Sequence, residues 1–382
     1  MIVHVIAIVP LLIWLYLLLA RGGFWRVPQQ VAAALPNDDQ TKKVVAIIPA
    51  RDEATVIGDT VKSILQQIYG GAIHVIVVDD GSIDGTASAA GEAAANIAAA
   101  ARLTIISGAP LPPGWTGKPW AMSQGATAAA ALDPDYLLFT DADIHHDPNN
   151  IAALVANAEA QDLDLVSYMV ELSVMSFAEK FLIPAFVFFF LQLYPPRWIA
   201  SPRCRTAGAA GGCMLMRPKA LARIGGLQAI RSQLIDDCAL ARTVKAAGGS
   251  VWLGLTRTAR STRCYGSFTQ IARMISRSAF YQLQHSYLLL GATIVGLGIT
   301  YVLPPLLLIF GDPLAMALGA VAWALMSIAY APMVRFYRLS PLWSLGLPAI
   351  ALFYAGATVH SALQYALRRG GHWKGRVQDL RL

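Results

Sequence analysis

The sequence predicts an α/β domain with a mostly parallel β-sheet, together with about four transmembrane helices. Two observations support this fold class. Of the 382 residues, 56% are hydrophobic and only 14% are charged, whereas a soluble domain carries about 25% charged residues. Between residues 43 and 143, apolar runs rich in β-branched residues alternate with helical patterns, and this order is typical of a parallel sheet with helices packed on it.

The elements of the α/β domain, which we place at residues 42–285, follow from this alternation. The apolar runs are strands of five to eight residues, and the alanine-rich stretch after the second run favours a helix by propensity. Strands are predicted at 43–50, 73–80, 103–108 and 136–143, and helices at 54–68, 84–102 and 118–131.

Four apolar stretches are long enough to cross a membrane, since about 20 apolar residues span a bilayer as a helix. None of the four contains Asp, Glu, Lys or Arg. The first lacks a basic leader and a cleavage site, which favours an anchor at 1–21 over a cleaved signal. A further run, 181–196, has only 16 residues and three prolines, and we interpret it as an interfacial helix. The four stretches are 1–20, 286–310, 314–334 and 341–367.

Basic residues beside the first span predict its orientation. Arg21 and Arg26 follow it, so the positive-inside rule places residues 21–285 in the cytoplasm. Three further spans, within 286–367, would leave the basic tail 368–382 outside, although its five Lys and Arg residues favour the inside. Either 341–367 enters the bilayer and returns, or the charge rule does not hold here; the sequence leaves both open.

The net charge of +7 is explained by basic residues that face anionic lipid. No basic stripe with interleaved aromatic residues indicates a nucleic-acid partner. The four cysteines have no C-x-x-C spacing, which favours reduced structural cysteines over a zinc site.

Three of the predicted strands end in acidic residues. They lead into Asp52 and Glu53, into Asp79-Asp80, and into the D-x-D motif at 141–143. The carboxyl ends of parallel strands line one crevice, where ligands bind, and buried acids repel one another unless something compensates. A divalent cation is the simplest compensator, because carboxylates suit Mg²⁺ or Mn²⁺. The alternative is that each acid only caps the next helix.

No glycine-rich phosphate loop follows any of the strands. An acidic crevice would repel a bare diphosphate, whereas a divalent cation would bind both the carboxylates and the diphosphate. The acids therefore predict a nucleotide diphosphate held through a divalent cation.

These motifs and their order resemble family 2 glycosyltransferases, which have the GT-A (nucleotide-diphospho-sugar transferase) fold, a Rossmann-like domain. The resemblance covers about 42–285, and the whole architecture is similar to the hopene-associated subgroup. It implies a protein of the bacterial inner membrane. The matching segments are IIPARDE (47–53), VVDDGSIDGT (77–86), TDAD (140–143), GGCMLMRPKAL (211–221), IDDCAL (235–240) and QIARM (270–274), with RGGFWR (21–26) and GHWKGR (371–376) for the subgroup.

The resemblance implies roles for residues around the donor. Glu53 and Asp80 would contact the nucleotide base and ribose. Asp141 and Asp143 of the D-x-D motif would bind the cation and the diphosphate, with Asp143 as the direct ligand, and Lys118 would lie near the sugar nucleotide.

On the acceptor side, the resemblance implies that Asp237 is the general base. Asp236 stands where the family has Glu, which puts its own role in doubt. Gly211 and Gly212 would let the backbone approach an acceptor closely, although a bend in a strand is an alternative reason for them.

The family's Q-x-x-R-W motif has Gln270 and Arg273 here, with Met274 in place of Trp. Arg273 would assist binding of the diphosphate, and its alternative is contact with lipid headgroups. The missing Trp argues against a processive polysaccharide synthase.

The implied function is metal-dependent, inverting transfer of a sugar from a nucleotide-diphosphate sugar to a lipid hydroxyl, for which the subgroup implies a hopanoid. Two alternatives remain: a processive polysaccharide synthase, and a non-catalytic membrane sensor or scaffold for sugar nucleotides. The sequence predicts no oligomeric state.

Overall fold

The computed structural model describes residues 2–27, 41–367, 372–373 and 376–377. Most of the predicted basic tail 368–382 therefore lies outside the described residues. The strands are β1 Val44–Ala50, β2 Ile73–Asp79, β3 Leu103–Ser107, β4 Tyr136–Thr140, β5 Ile144–His146, β6 Leu165–Glu171, β7 Cys213–Met216, β8 Val251–Ser261, β9 His372–Trp373 and β10 Arg376–Val377.

One eight-stranded sheet forms the centre of the α/β domain, in the order β3-β2-β1-β4-β7-β6-β8-β5. Strands β3, β2, β1 and β4 are parallel, as are β6 and β8. Strand β7 is antiparallel to both β4 and β6, and Thr140 pairs with Cys213. The predicted α/β class with a mostly parallel sheet is confirmed. Because β7 is antiparallel to β4, the residues just before β7 lie at the carboxyl end of β4.

The α-helices lie on both faces of the sheet and in the apolar segments. They are α1 Ile2–Leu19, α2 Ile57–Leu65, α3 Thr86–Ala95, α4 Gly117–Ala130, α5 Asn150–Ala160, α6 Phe177–Leu193, α7 Pro196–Ala200, α8 Pro218–Arg223, α9 Asp236–Ala246, α10 Phe268–Ser276, α11 Ala279–Gln282, α12 Tyr287–Leu297, α13 Leu303–Phe310, α14 Pro313–Phe336 and α15 Leu347–Ala366.

Three elements are clearly shorter than the sequence predicts. Helix α2 spans Ile57–Leu65 rather than 54–68. Helix α3 ends at Ala95 rather than near 102, since the chain takes a left-handed turn at Ala98, where φ is 54°. Strand β4 ends at Thr140, so that Asp141 and Asp143 lie in the turn before β5 instead of in the strand.

The core is continuous from the sheet into the apolar helices. Ile47 of β1, Phe188 of α6 and Tyr330 of α14 belong to one cluster of buried residues. A second cluster fills the other face of the sheet, where α2, α3 and α5 pack. The α/β domain therefore rests on the apolar helices through shared packing.

Within the described residues, four helical segments are long and apolar enough to cross a membrane, which supports membrane association. They are Phe177–Ala200, Tyr287–Phe310, Pro313–Phe336 and Pro341–Ala366. The predicted first span corresponds to α1, whose apolar part, His4–Leu19, is shorter than these four segments.

The helical segment that contains 181–196 is longer than the sequence predicts, since Phe177–Ala200 is long and apolar enough to cross a membrane. The interpretation of 181–196 as an interfacial helix remains a prediction. Helix α6 begins at Phe177, before the predicted start, passes through Pro184 and ends at Leu193, and α7 extends the helical segment to Ala200. In its most apolar window, 56% of the residues are buried inside the protein, against 22–33% for the other three segments. Protein therefore covers this helix more than the other three segments, because α10, α14 and α15 pack against it and its buried residues belong to the core cluster of the sheet.

Helix α4 packs against β1 so closely that one of its positions requires glycine. A Cβ atom on Gly125 would lie 2.4 Å from Cγ2 of Ile47, a fully buried strand residue. A Cβ atom on Gly91, inside α3, would lie 3.6 Å from Cδ1 of Ile105, which is an ordinary van der Waals distance.

We therefore expect opposite effects from two matched substitutions. Gly125→Ala should lower the free energy of unfolding by about 1–3 kcal/mol through overpacking. Gly91→Ala should raise it by roughly 0.5–1 kcal/mol through helix propensity. Thermal unfolding of both variants in detergent checks this. Equal shifts of the melting temperature would contradict the close packing of α4 on β1.

Candidate active site

A cavity of about 510 Å³ opens at the carboxyl ends of β1 and β4. It extends from the D-x-D turn to the inner faces of α6 and α10. All but one of the predicted site residues line it: Glu53, Lys118, Asp141, Asp143, Gly211, Gly212, Asp236, Asp237, Gln270 and Arg273. The topology thus gathers into one site residues that lie more than 200 positions apart in the chain.

Lys118, in the first turn of α4, is the central cation of the cavity. Its Nζ atom lies 2.6 Å from Oδ1 of Asp141 and 3.5 Å from Oδ2 of Asp236. Burial lowers the pKa of Lys118, but the neighbouring carboxylates outweigh burial and raise it overall. Burial raises the pKa of Asp141, while Lys118 opposes that shift. The lysine is therefore held charged, and it lowers the cost of keeping Asp141 ionised.

Asp237 lies beside this pair in the first turn of α9. Its Oδ2 accepts a hydrogen bond of 2.9 Å from the backbone N–H of Gly211, and its Oδ1 accepts one of 2.7 Å from Cys238. Burial, followed by the charge of Asp236, raises the pKa of Asp237 to about 6, against the opposing effect of Lys118. A carboxylate with a pKa near the working pH is suited to general base catalysis.

Gly211 allows these groups to meet. A Cβ atom there would lie 3.0 Å from Nζ of Lys118 and 3.4 Å from Oδ2 of Asp237. A Cβ on Gly212 would face Val170 at 3.1 Å, on the sheet side. Gly211 therefore fits the predicted close approach at the cavity, whereas Gly212 packs tightly against β6.

Arg263 is the site residue that the sequence analysis missed. Its Nη2 atom lies 2.8 Å from Oε1 of Glu53, and its Nε lies 2.8 Å from Oδ2 of Asp143. It follows β8, whose antiparallel pairing with β5 places Ser261 beside Ile144. Nothing in the local sequence reveals this pairing, because 117 positions separate the two residues.

Asp80 is the predicted residue that does not line the cavity. Its side chain is 2% exposed and lies 3.7 Å from Nη1 of Arg51, which also donates to the Asp80 carbonyl oxygen. It lies at the carboxyl end of β2, one strand beyond β1. The predicted contact between Asp80 and a nucleotide remains a prediction.

The wall of the cavity opposite the acidic residues is apolar and carries basic residues. Gln270, whose Oε1 accepts a hydrogen bond from the backbone N–H of Gly266, lies on α10 together with the exposed Arg273. The exposed Arg277 follows the last residue of this helix and also lines the cavity. Apolar side chains complete this wall: Leu172, Phe186, Phe190 and Met274. One end of the cavity is therefore acidic, and the other is apolar with a cationic rim.

The predicted cation has suitable ligands here, although no three His, Cys, Asp or Glu residues of the described chain form a complete site. Asp141 and Asp143 both line the cavity. Mg²⁺ commonly uses only one or two protein carboxylates and completes its shell with substrate phosphates and water. The residues present fit a cation that binds jointly with a diphosphate.

Comparison with known proteins supports the predicted family. Residues 45–225 match the family "Glycosyl transferase family 2", a segment that includes the donor-side acids and ends before Asp237. No curated protein matches the sequence.

Similarity to solved structures concerns the fold. The mannosyltransferase PcManGT from Pyrobaculum calidifontis, solved with GDP-Man and Mn²⁺, is 18% identical, covers 94% of this chain and 99% of its own, and has a TM-score of 0.53. Mannosyl-3-phosphoglycerate synthase from Rubrobacter xylanophilus is 16% identical over 67% of this chain and 80% of its own, with a TM-score of 0.41. The first match confirms the predicted fold.

The role of Lys118 as counterion predicts how stability depends on pH. In Lys118→Met, Asp141 and Asp237 lose the cation that opposes their raised pKa values. The folded variant should then retain protons that the unfolded chain releases above about pH 4. Its unfolding free energy, relative to the wild type, should fall as pH rises from 5 to 8.

Melting temperatures of the full chain in detergent, at pH 5 and pH 8, check this expectation. Lys42→Met is a matched control, since Lys42 forms only an exposed pair with Asp135. A loss of stability in Lys118→Met that is the same at both pH values would contradict the electrostatic role.

Proposed function

We propose that this chain, whose α/β domain matches glycosyltransferase family 2, is a membrane-bound inverting glycosyltransferase. It transfers a sugar from a nucleotide-diphosphate sugar to a lipid hydroxyl. The arrangement of Asp237 beside the Lys118–Asp141 pair, in one cavity with Asp143, carries this proposal. It combines a base of near-neutral pKa with acids suited to a cation-bound diphosphate.

The donor occupies the acidic end of the cavity. Asp141 and Asp143 would hold Mg²⁺ or Mn²⁺, which neutralises the charge that grows on the leaving diphosphate. Glu53 would contact the nucleoside, and Lys118 would contact the diphosphate or the sugar. The contact of Asp80 with the nucleoside remains a prediction, since Asp80 does not line the cavity.

Asp237 acts on the acceptor. Its ionised carboxylate takes the proton from the acceptor hydroxyl, and the hydroxyl oxygen forms a bond to the anomeric carbon. The bond between that carbon and the diphosphate oxygen breaks on the opposite face, so the configuration inverts. The N–H groups of Gly211 and Cys238 orient the carboxylate for this transfer.

A lipid acceptor is supported by the apolar end of the cavity. Phe186 and Phe190 belong to α6, which lies in one of the four segments able to cross a membrane. An amphiphile could place its apolar body against these rings and its hydroxyl near Asp237. A hopanoid is the acceptor that the subgroup resemblance implies. In this proposal the α/β domain faces the cytoplasm at the bacterial inner membrane.

Membranes that contain the full chain, a panel of sugar nucleotides and Mn²⁺ should produce a newly labelled lipid, detected by mass spectrometry. Asp237→Asn should bind the donor as the wild type does but transfer sugar about 10²–10⁴-fold more slowly, because it cannot accept the proton. Asp162→Asn, at a side chain that is 96% exposed, is the control.

Full turnover by Asp237→Asn would remove Asp237 from the role of base. A polymeric product would favour a processive synthase instead. Donor binding without any transfer or hydrolysis would favour a sensor or scaffold.

The raised pKa of Asp237, about 6, predicts the pH profile of transfer. The base works only when ionised, so the rate should be constant well above pH 6 and fall below it, by about tenfold between pH 7 and pH 5. Initial rates at saturating donor measure this profile. A rate that stays constant down to pH 5 would show that the ionisation of Asp237 does not limit transfer.

A further inference from the structure

We propose that Arg263 is an internal counter-cation of the donor site, which neutralises Glu53 and Asp143 and competes with a divalent cation for Asp143. The inference rests on the proposed function for the nature of that cation and of the diphosphate. It assigns a role to a residue outside all the motifs that resemble the family. The role is to position charge, and it involves no bond making.

The contacts of Arg263 identify what it does in the protein. It bridges two acids that come from different strand ends: Nη2 contacts both carboxylate oxygens of Glu53, at 2.8 and 3.1 Å, and Nε contacts Oδ2 of Asp143 at 2.8 Å. The side chains of Glu53 and Asp143 are only 13% and 11% exposed. Two nearly buried carboxylates need such compensation to remain ionised together.

The guanidinium can leave Asp143 without movement of the backbone. On one side of Arg263, Thr262 donates its N–H to the Asp143 carbonyl at 2.8 Å. On the other side, Tyr265 donates its N–H to Glu179 at 2.5 Å and accepts a bond of 2.9 Å from the Ser176 hydroxyl. The loop is therefore fastened to the D-x-D turn and to α6, and the side chain alone can move.

Competition follows from the shared ligand atom. Arg263 occupies Oδ2 of Asp143, and Ser261 donates to the same oxygen at 3.2 Å. A divalent cation that uses this carboxylate must weaken or replace the contact with Arg263, because two cations would otherwise repel each other across it. An arriving diphosphate offers the released guanidinium a new anionic partner, which arginine binds bidentately.

Mn²⁺ binding to the full chain in detergent, measured by electron paramagnetic resonance without any nucleotide, tests this role. Arg263→Gln removes the competing charge and should bind Mn²⁺ about tenfold more tightly, which corresponds to ~1.4 kcal/mol. Arg263→Lys keeps the positive charge but lacks the planar guanidinium that contacts Glu53 and Asp143 together. Its affinity for Mn²⁺ should therefore rise less, roughly two- to threefold. Arg260→Gln, which loses only an exposed pair with Asp147, should bind as the wild type does.

Adding Asp143→Ala to Arg263→Gln should abolish the gain, because the competition takes place at Asp143. The proposal is overturned if Arg263→Gln binds Mn²⁺ no more tightly than the wild type, or if the gain survives the loss of Asp143. Should Arg263→Gln fail to fold, Arg263→Lys decides: a gain supports the competition, and an unchanged or lower affinity refutes it. The titration contains no sugar donor, so its result is independent of whether transfer is observed.

Discussion

The structure depends on the compensation of acidic charge at one end of a sheet. Five carboxylates line a single cavity: Glu53, Asp141, Asp143, Asp236 and Asp237. Acids this close and this buried cannot all ionise without partners. The protein supplies two cations from within its own chain, Lys118 between Asp141 and Asp236, and Arg263 between Glu53 and Asp143. These two basic side chains offset part of the carboxylate charge, and the site remains suited to a divalent cation that binds together with a diphosphate.

The topology places these partners with few elements. The first turn of α4 places Lys118 beside the D-x-D turn. Antiparallel β7 places Gly211 beside Asp237, in the first turn of α9. Glu179, at the start of α6, holds the loop that carries Arg263. A helix of the apolar region therefore takes part in shaping the polar site. This link, together with the shared core, places the polar cavity directly beside helices that are long and apolar enough to cross a membrane.

Much of this arrangement follows from the sequence, because the informative signals are local. Strand periodicity predicts β1 to β4, and acids at strand ends predict that Glu53, Asp141 and Asp143 converge. Pairing between distant strands is not local: the β5–β8 contact that delivers Arg263 has no signature in the sequence. For the same reason the sequence predicts a divalent cation as the compensator but not the contribution of Arg263, which the fold adds together with Lys118.

The proposed function requires that the acidic end of this cavity receives a cation-bound diphosphate. The most direct measurement is a structure of the full chain with Mn²⁺ and a nucleoside diphosphate, with the metal located by its anomalous scattering. We predict a Mn²⁺ peak against Asp141 and Asp143, with the diphosphate inside the cavity and the guanidinium of Arg263 turned away from Asp143. A metal and nucleotide bound elsewhere, with the Arg263 contacts to Glu53 and Asp143 unchanged, would contradict the account.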